Sequence, residues 1–279
     1  MRLAIYAHYG TSPQVAGHVL FHLQKLAELG CQIGFVSNSA ISPASETAMK
    51  QFCERIIVRE NTGLDFAMWQ RGLAEYDLSA FDELLLTNYS IIGPLQPLAP
   101  LWQNPAVADC DFWGLTDNDE LGSHLQSYFL VFRQRVLHSS RFRDFWRTVL
   151  PYKNKQQVIY SYELGLSQWL EEGGFTWKAI FSQEAIRSAY RQSRSLWRKI
   201  HEYRLYLEHR ALGRNTTVFF PDLLLARGMP FLKAALLCES PSRIDPPTAF
   251  GFLERSGLPD EILAELRRDF PAVNGRRKS

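Results

Sequence analysis

Side chains able to hold a substrate gather at four places in the first third of the sequence: His8-Tyr9, Ser37-Asn38, Glu60-Asn61-Thr62-Gly63 and Asn88-Tyr89-Ser90. Together they offer the amide, hydroxyl and imidazole groups that fix a nucleotide by hydrogen bonding. Asn, Ser and Gly are also ordinary turn formers, so one such cluster says little and the weight rests on four together. Thr62-Gly-Leu-Asp65 adds a carboxylate in the pattern of a capping box. Capping and ligand contact are compatible roles for Asp65, because a helix N-terminus presents partial positive charge to a nucleotide or sugar. Trp69, one turn further on, reads as core rather than as a stacking surface.

Each cluster follows a short apolar run, which names the elements that must position it. Arg2 to Ala7 reads as a buried strand, and Val15, Val19, Leu20, Leu23 and Leu26 then recur at helical spacing up to Gly30. Further strands are expected over Gln32 to Val36, Arg55 to Val58 and Glu83 to Leu86, with helices near Glu46 to Cys53 and around Phe66, Trp69, Leu73 and Tyr76. This βαβαβαβ order predicts an α/β fold whose mainly parallel sheet is flanked by helices, with ligands beyond the carboxyl ends of the strands. Asp111 to Thr116 and Ser127 to Phe132 read as strands across a short polar loop, which makes the sheet mixed. Helices around Arg141 to Val149 and Val158 to Glu171 precede a last strand, Thr176 to Ile180. The pattern is helical and basic from Gln183 to Leu212, then a loop over Pro241 to Pro247 leads to a short helix near Pro259 to Arg268. We therefore expect a nucleotide-binding and catalytic domain over 1–182 and a helical, basic C-terminal extension over 183–279 packed on it.

Composition narrows the function classes. With 279 residues, 46% hydrophobic and 22% charged, the chain can bury one sizeable core. Cys31, Cys53, Cys110 and Cys238 form no CxxC pair, so neither a zinc ribbon nor a disulfide framework is expected, and a reducing compartment fits. The first apolar run is too short for a secretory signal, and no stretch approaches the roughly 18 apolar residues of a membrane span. A net charge of +2 gives no reason to expect nucleic acid as a partner. The positive charge is nevertheless uneven: Arg187, Arg191, Arg194, Arg198, Lys199 and Arg204 are interleaved with Tyr190, Trp197 and Tyr203, and the tail ends Gly275-Arg-Arg-Lys-Ser279. Such a face either rests on anionic lipid or is a solvated helix that packs Trp197 inward. There is no G-x-G-x-x-G after the first strand, no P-loop and no G-x-S-x-G elbow, and His124 and His138 lack metal-ligating partners at helical spacing.

The segments Arg59-Glu-Asn-Thr-Gly-Leu-Asp-Phe-Ala-Met-Trp69, Asn88-Tyr-Ser-Ile-Ile-Gly-Pro94, Asp111-Phe-Trp-Gly-Leu-Thr116 and His124-Leu-Gln-Ser-Tyr-Phe129 resemble, in order and spacing, the motifs of the rhamnan synthesis F family of bacterial polysaccharide assembly. Phe145-Trp146, Tyr162-Glu163 and Gly228-Met-Pro-Phe-Leu-Lys233 extend the resemblance over most of the chain, leaving mainly the basic helix and the tail outside it. The resemblance implies a glycosyltransferase with a GT-A-like core that acts in cell-envelope polysaccharide or lipopolysaccharide synthesis. Its donor would be dTDP-rhamnose or a similar sugar nucleotide, and its acceptor a glycan or polyprenyl-linked glycan. It would work in the cytoplasm, peripherally at the inner face of the cytoplasmic membrane.

In GT-A enzymes the strand before the active site ends in Asp-x-Asp, which holds a divalent metal on the diphosphate. The corresponding stretch here is Leu84-Leu-Leu-Thr-Asn-Tyr-Ser90, with Tyr89 where the family often has Asp, so no cofactor is assigned and Mg2+ or Mn2+ dependence stays open. Asp111, Asp117 or Asp119 would have to supply the carboxylate that such ions take. The resemblance makes Glu163 the candidate base, near the start of the helix after the mixed sheet, with Asp117 as the runner-up. His124, Gln126 and Ser127 would orient donor or acceptor hydroxyls, though strand alternation sends one or two of them into ordinary sheet packing. Two rivals remain from the sequence: a noncatalytic sugar- or nucleotide-binding component of an assembly complex, and a different α/β enzyme acting on phosphorylated sugars.

Overall fold

The computed structural model describes residues 1–119, 121–192, 215–238 and 244–270. Arg194, Trp197, Arg198, Lys199, Tyr203 and Arg204 of the basic segment, and the tail 275–279, lie outside the described residues.

The strands are β1 Arg2–His8, β2 Cys31–Ser37, β3 Arg55–Val58, β4 Glu83–Asn88, β5 Ile91–Ile92, β6 Phe112–Gly114, β7 Asp117–Asn118, β8 His124–Leu125, β9 Phe129–Arg133, β10 Trp177–Ala179 and β11 Leu232–Lys233. The main helices are α1 Gly17–Glu28, α2 Pro43–Met49, α3 Leu64–Leu73, α4 Ser140–Thr148, α5 Gly165–Glu172, α6 Gln183–Gln192, α7 Pro246–Glu254 and α8 Asp260–Asp269. A seven-stranded sheet runs in the order β10-β6-β9-β4-β1-β2-β3. Only β9 is antiparallel to its neighbours, β4 and β6, so the expected α/β class with a mixed, mainly parallel sheet flanked by helices is what the chain adopts.

Alternation along β1 divides the core between the two faces. Ala4 and Tyr6 point to the side covered by Val19, Leu23 and Leu26 of α1. Leu3, Ile5 and Ala7 point to the side covered by Phe66 and Trp69 of α3 and Phe142, Phe145 and Trp146 of α4. Trp69 is fully buried and its indole N–H donates to the Thr87 carbonyl at 3.0 Å, so it fills the core as expected. Strands β2 and β3 lie on one side of β1 and β4 on the other, so the direction of winding reverses at the β1/β4 boundary. That boundary is where an open α/β sheet leaves a crevice beyond its strand ends.

Local signals explain the differences from the expected elements. Helix α2 starts three residues before the expected span, because the Ser42 hydroxyl accepts from the Ser45 N–H at 3.2 Å and Pro43 follows at the first helical position. The same device starts α7 at the end of the expected loop, a helix for which no element was expected: Asp245 caps the Thr248 N–H at 2.9 Å and Pro246 opens the helix. Two short antiparallel pairs, β5 with β11 and β7 with β8, have runs too short to show periodicity. The first of them matters most, since it ties the segment after residue 215 to the end of β4. Among the described residues no helix is long and apolar enough to cross a membrane.

Candidate functional site

A cleft of about 430 Å3 opens beyond the carboxyl end of β4. Its walls include Asp65, Asn88, Ser90, His124, Gln126, Ser127 and Glu163, all singled out from the sequence. A second cavity of about 140 Å3 is lined by Tyr9, Asn38 and Asn61, and it shares Leu64, Asp65 and Tyr89 with the first. Tyr89 lines both spaces, its ring 5.9 Å from Tyr9 and 6.2 Å from His8, centroid to centroid.

Asp65 reaches the cleft because the chain enters α3 through an unusual turn. Gly63 has φ +77° and Leu64 φ +51°, the latter rare for a residue with a side chain. The expected capping box does not form: α3 has no side-chain cap, and the Thr62 hydroxyl accepts instead from the Arg59 guanidinium at 3.1 Å. Gly63 itself lines neither cavity. A Cβ at this position would lie 2.7 Å from the Pro151 Cα and 2.5 Å from the Ala67 Cβ. Gly63→Ala is expected to cost about 1–3 kcal/mol from overpacking and the disfavoured φ, read as a lower urea midpoint at unchanged slope.

Freed from capping, the Asp65 carboxylate accepts from the Asn88 side-chain amide at 2.8 Å. The Asn88 carbonyl oxygen in turn accepts from the Ser90 N–H at 3.1 Å and the Ser90 hydroxyl at 2.6 Å. Burial pushes the Asp65 carboxyl up to about 6 against the pull of Lys233 and Asn88, with Glu163 adding to the rise. The Lys233 ammonium closes this chain, donating to the Ser90 hydroxyl at 3.3 Å and lying 3.9 Å from the centre of the Tyr128 ring. Its place is set by β11, where Lys233 is registered against Ile91, next to Ser90. Burial lowers the Lys233 pKa to about 8, while Glu163 and Asp65 favour the charged form.

Glu163 enters the cleft from a π-helical turn, Ile159–Leu164, set between Lys155–Val158 and α5. A π-turn inserts an extra residue into a helix and re-aims the side chains on it, a device frequent at functional sites. The Glu163 carboxylate accepts from the Ser127 N–H at 3.1 Å, which leaves lone pairs directed elsewhere. His124 is buried and lines the cleft, with Nδ1 hydrogen-bonded to the Gly122 carbonyl at 2.7 Å, so Nδ1 is the donor. The Gln126 carbonyl oxygen accepts from Thr116 at 2.7 Å, which fixes its amide.

Other sequence candidates lie elsewhere. His8 is buried against Phe35, its Nδ1 hydrogen-bonded to the Ser37 hydroxyl at 3.0 Å, and it lines neither cavity. Glu60 is exposed and lines neither. Asp111 precedes β6 and so sits at the amino end of that strand, where it accepts from Arg135 at 2.6 Å and from the Thr176 N–H at 2.8 Å. Burial raises its pKa, but the Arg135 and Thr176 hydrogen bonds outweigh this and hold it below the ordinary value. Asp117 accepts from the Gln183 N–H at 2.6 Å, and Asp119 accepts from the Gln183 amide at 3.1 Å and from Arg187 at 3.0 Å, so both tether the start of α6. Burial raises the Asp117 pKa. Neither carboxylate lines the cleft, whereas Asn118 between them does.

The cleft residues do not form a prebuilt divalent-metal site. Among the described residues no three His, Cys, Asp or Glu side chains converge on one point. Asp111, Asp117 and Asp119 are held by Arg135, Gln183 and Arg187, and the ammonium groups of Lys155 and Lys233 share the cleft with Asp65 and Glu163. Lys233, Lys155, Asn118 and Asn215 also line the cleft without having been singled out as site residues. Lys233 carried a legible signal, being a lone charge within the apolar run Met229-Pro-Phe-Leu-Lys-Ala-Ala-Leu-Leu237.

Residues 33–246 match the family described as rhamnan synthesis protein F. An uncharacterized protein, y4gN, of Sinorhizobium fredii is 28% identical over 179 residues, covering 62% of this chain and 47% of that protein. The virulence protein VirA of Vibrio anguillarum is 27% identical over 210 residues, covering 71% of this chain and 66% of that protein. The match therefore spans between about half and two thirds of the length of these relatives. Among solved structures, the glycosyltransferase GlyE of Streptococcus pneumoniae aligns with a TM-score of 0.46 at 12% identity, over 98% of this chain and 66% of that one.

Proposed function

The chain belongs to the rhamnan synthesis protein F family, and from that premise we propose that it is a glycosyltransferase moving a sugar from a nucleoside diphosphate donor to a glycan or lipid-linked glycan acceptor. Rhamnose or another deoxyhexose carried on dTDP is the donor the family membership favours. The observation that carries the proposal is the cleft beyond β4, where the carboxylates of Asp65 and Glu163, the ammonium groups of Lys155 and Lys233 and several fixed amide and hydroxyl groups line a volume within the range of small-ligand sites. The smaller cavity beside Tyr9, Asn38 and Asn61 takes the nucleoside, and the larger takes the diphosphate and sugar.

In this scheme Glu163 accepts the proton of the acceptor hydroxyl as its oxygen attacks the anomeric carbon. The bond from that carbon to the diphosphate oxygen breaks, and its electron pair leaves with the nucleoside diphosphate. His124 Nε2 and the Gln126 amide orient sugar hydroxyls, while the Ser127 N–H holds Glu163 in place. The enzyme works in the cytoplasm and docks at the membrane through its basic segment, of which Arg187 and Arg191 lie on α6.

A thermal-shift screen tests donor binding. A sugar nucleotide that binds only the native state, present at 100 times its dissociation constant, adds about 2.7 kcal/mol of stability. dTDP- or UDP-sugars are expected to raise the melting temperature, and a flat response to every sugar nucleotide would remove the proposal. Tyr89, standing where a carboxylate is expected, favours one other reading, a noncatalytic binding component. That alternative predicts the same shift with neither transfer to acceptor nor hydrolysis of the donor.

A further inference from the structure

We infer that Lys233 is a catalytic residue of the transfer, its ammonium contacting the donor diphosphate and carrying the charge compensation that a divalent metal would otherwise supply. The inference rests on the sugar-nucleotide reading above and goes beyond it by naming the group that meets the leaving phosphate.

Three observations converge on it. First, the position is built: β11 pairs with β5 so that Lys233 lies against Ile91, and Nζ is held by the Ser90 hydroxyl at 3.3 Å and over the Tyr128 ring at 3.9 Å. Second, no carboxylate among the described residues forms an ion pair with Nζ, although Asp65 and Glu163 share the cleft. A desolvated ammonium held by a hydroxyl and an aromatic face keeps hydrogen-bonding capacity for an arriving anion. Third, the end of β4 reads Asn88-Tyr89-Ser90, and the side chains of Asn88 and Ser90 are already joined to Asp65 and Lys233. The residues that would grip a metal are thus replaced by a network ending in a cation. Burial lowers the Lys233 pKa to about 8, which still leaves it largely protonated at neutral pH.

In the step itself the anomeric C–O bond breaks and its electron pair moves onto the β-phosphate oxygen. Lys233 donates a hydrogen bond to that oxygen without giving up its proton, and Lys155, which also lines the cleft, adds a second positive charge. The proton released by the acceptor goes to Glu163, so charge and atoms balance with no further reactant. Preorganised donors of this kind are worth about 10²–10³ in rate when removed singly.

Titration of dTDP and UDP into the full chain in EDTA, together with transfer assays, tests the inference. Wild-type protein should bind one of them and turn over without added metal. Lys233→Met should weaken that binding at least tenfold and lower kcat by about 10²-fold or more. Lys233→Arg should recover part of both, and the unliganded melting temperature should show that each variant is folded. Unchanged binding and turnover in Lys233→Met would overturn the inference, as would loss of wild-type activity in EDTA with restoration by Mg2+ or Mn2+. In both cases the glycosyltransferase reading would stand. Failure of wild-type protein to bind any nucleoside diphosphate, with or without metal, would remove both.

Discussion

Glu163→Gln is expected to lower kcat for sugar transfer by about 10²–10⁴-fold while leaving donor affinity within a fewfold of wild type. The substitution keeps the shape of the side chain and an oxygen able to accept the Ser127 N–H now 3.1 Å away. What it removes is the ability to take a proton. A residue that served only as a solvated helix glutamate, or only as a peg for the β8–β9 loop, would show little change in kcat. Isothermal titration with donor and a stopped transfer assay separate the two, and near-normal turnover would strike Glu163 from the catalytic role. The expected pattern, kcat lost with binding kept, also distinguishes it from Lys233, whose removal should damage both.

The second large effect is loss of the fold in mild acid. Burial holds the His8 and His18 imidazoles near 4 and the His22 imidazole near 3, whereas an unfolded histidine titrates near 6.5. Between those values the unfolded chain binds more protons than the native one, so stability rises with pH there and falls on acidification. The stabilising contribution is complete above about pH 6.5 and is lost progressively as pH falls toward 4 for His8 and His18 and toward 3 for His22. Asp65 acts in the opposite sense, since its native pKa near 6 lies above the unfolded value, but it is one group against three. Each tenfold difference in proton affinity between the native and unfolded chain is worth about 1.4 kcal/mol, so charging these buried imidazoles, of which His18 also opposes charge on His8 and His22, destabilises the native state. Circular dichroism should therefore show cooperative unfolding on acidification through this range.

His22 is the most telling of the three, since it is fully buried between Tyr6 and Phe231 and neither ring nitrogen has a hydrogen-bond partner among the described residues. His22→Leu should add about 1–3 kcal/mol at neutral pH by removing unsatisfied buried polar atoms. It should also move the acid midpoint down, and an unchanged midpoint would show that His22 does not govern it.

Strand order in the first half was legible because each buried strand is a short apolar run closed by a polar cluster, and this contrast survives without tertiary information. The cleft was partly legible for the same reason: Asn88, Ser90, Asp65 and Glu163 sit where strand and helix ends were expected to put them. Orientation was not. Asp111 and Asp117 have the right chemistry, but the former lies at the amino end of its strand, as the expected span Asp111 to Thr116 already placed it, and the latter turns toward the Gln183 N–H, which local pattern does not encode. The capping box over Thr62 to Asp65 matched by composition, yet positive φ at Gly63 and Leu64 redirects the chain and releases Asp65. Lys233 was missed as a site residue because its role depends on a two-residue strand pairing with one far earlier in the sequence.

That pairing has a consequence for how the protein comes to life during synthesis. Ser90 and Lys233 are 143 residues apart in sequence, so this side of the pocket stays unfinished after the central strands have emerged and paired. Contacts of such long separation form late, after the entropy of closing the intervening loop has been overcome. A nascent chain lacking its later segments would own a sheet and a crevice but not the Lys233 side chain that β11 brings against Ile91 and Ser90.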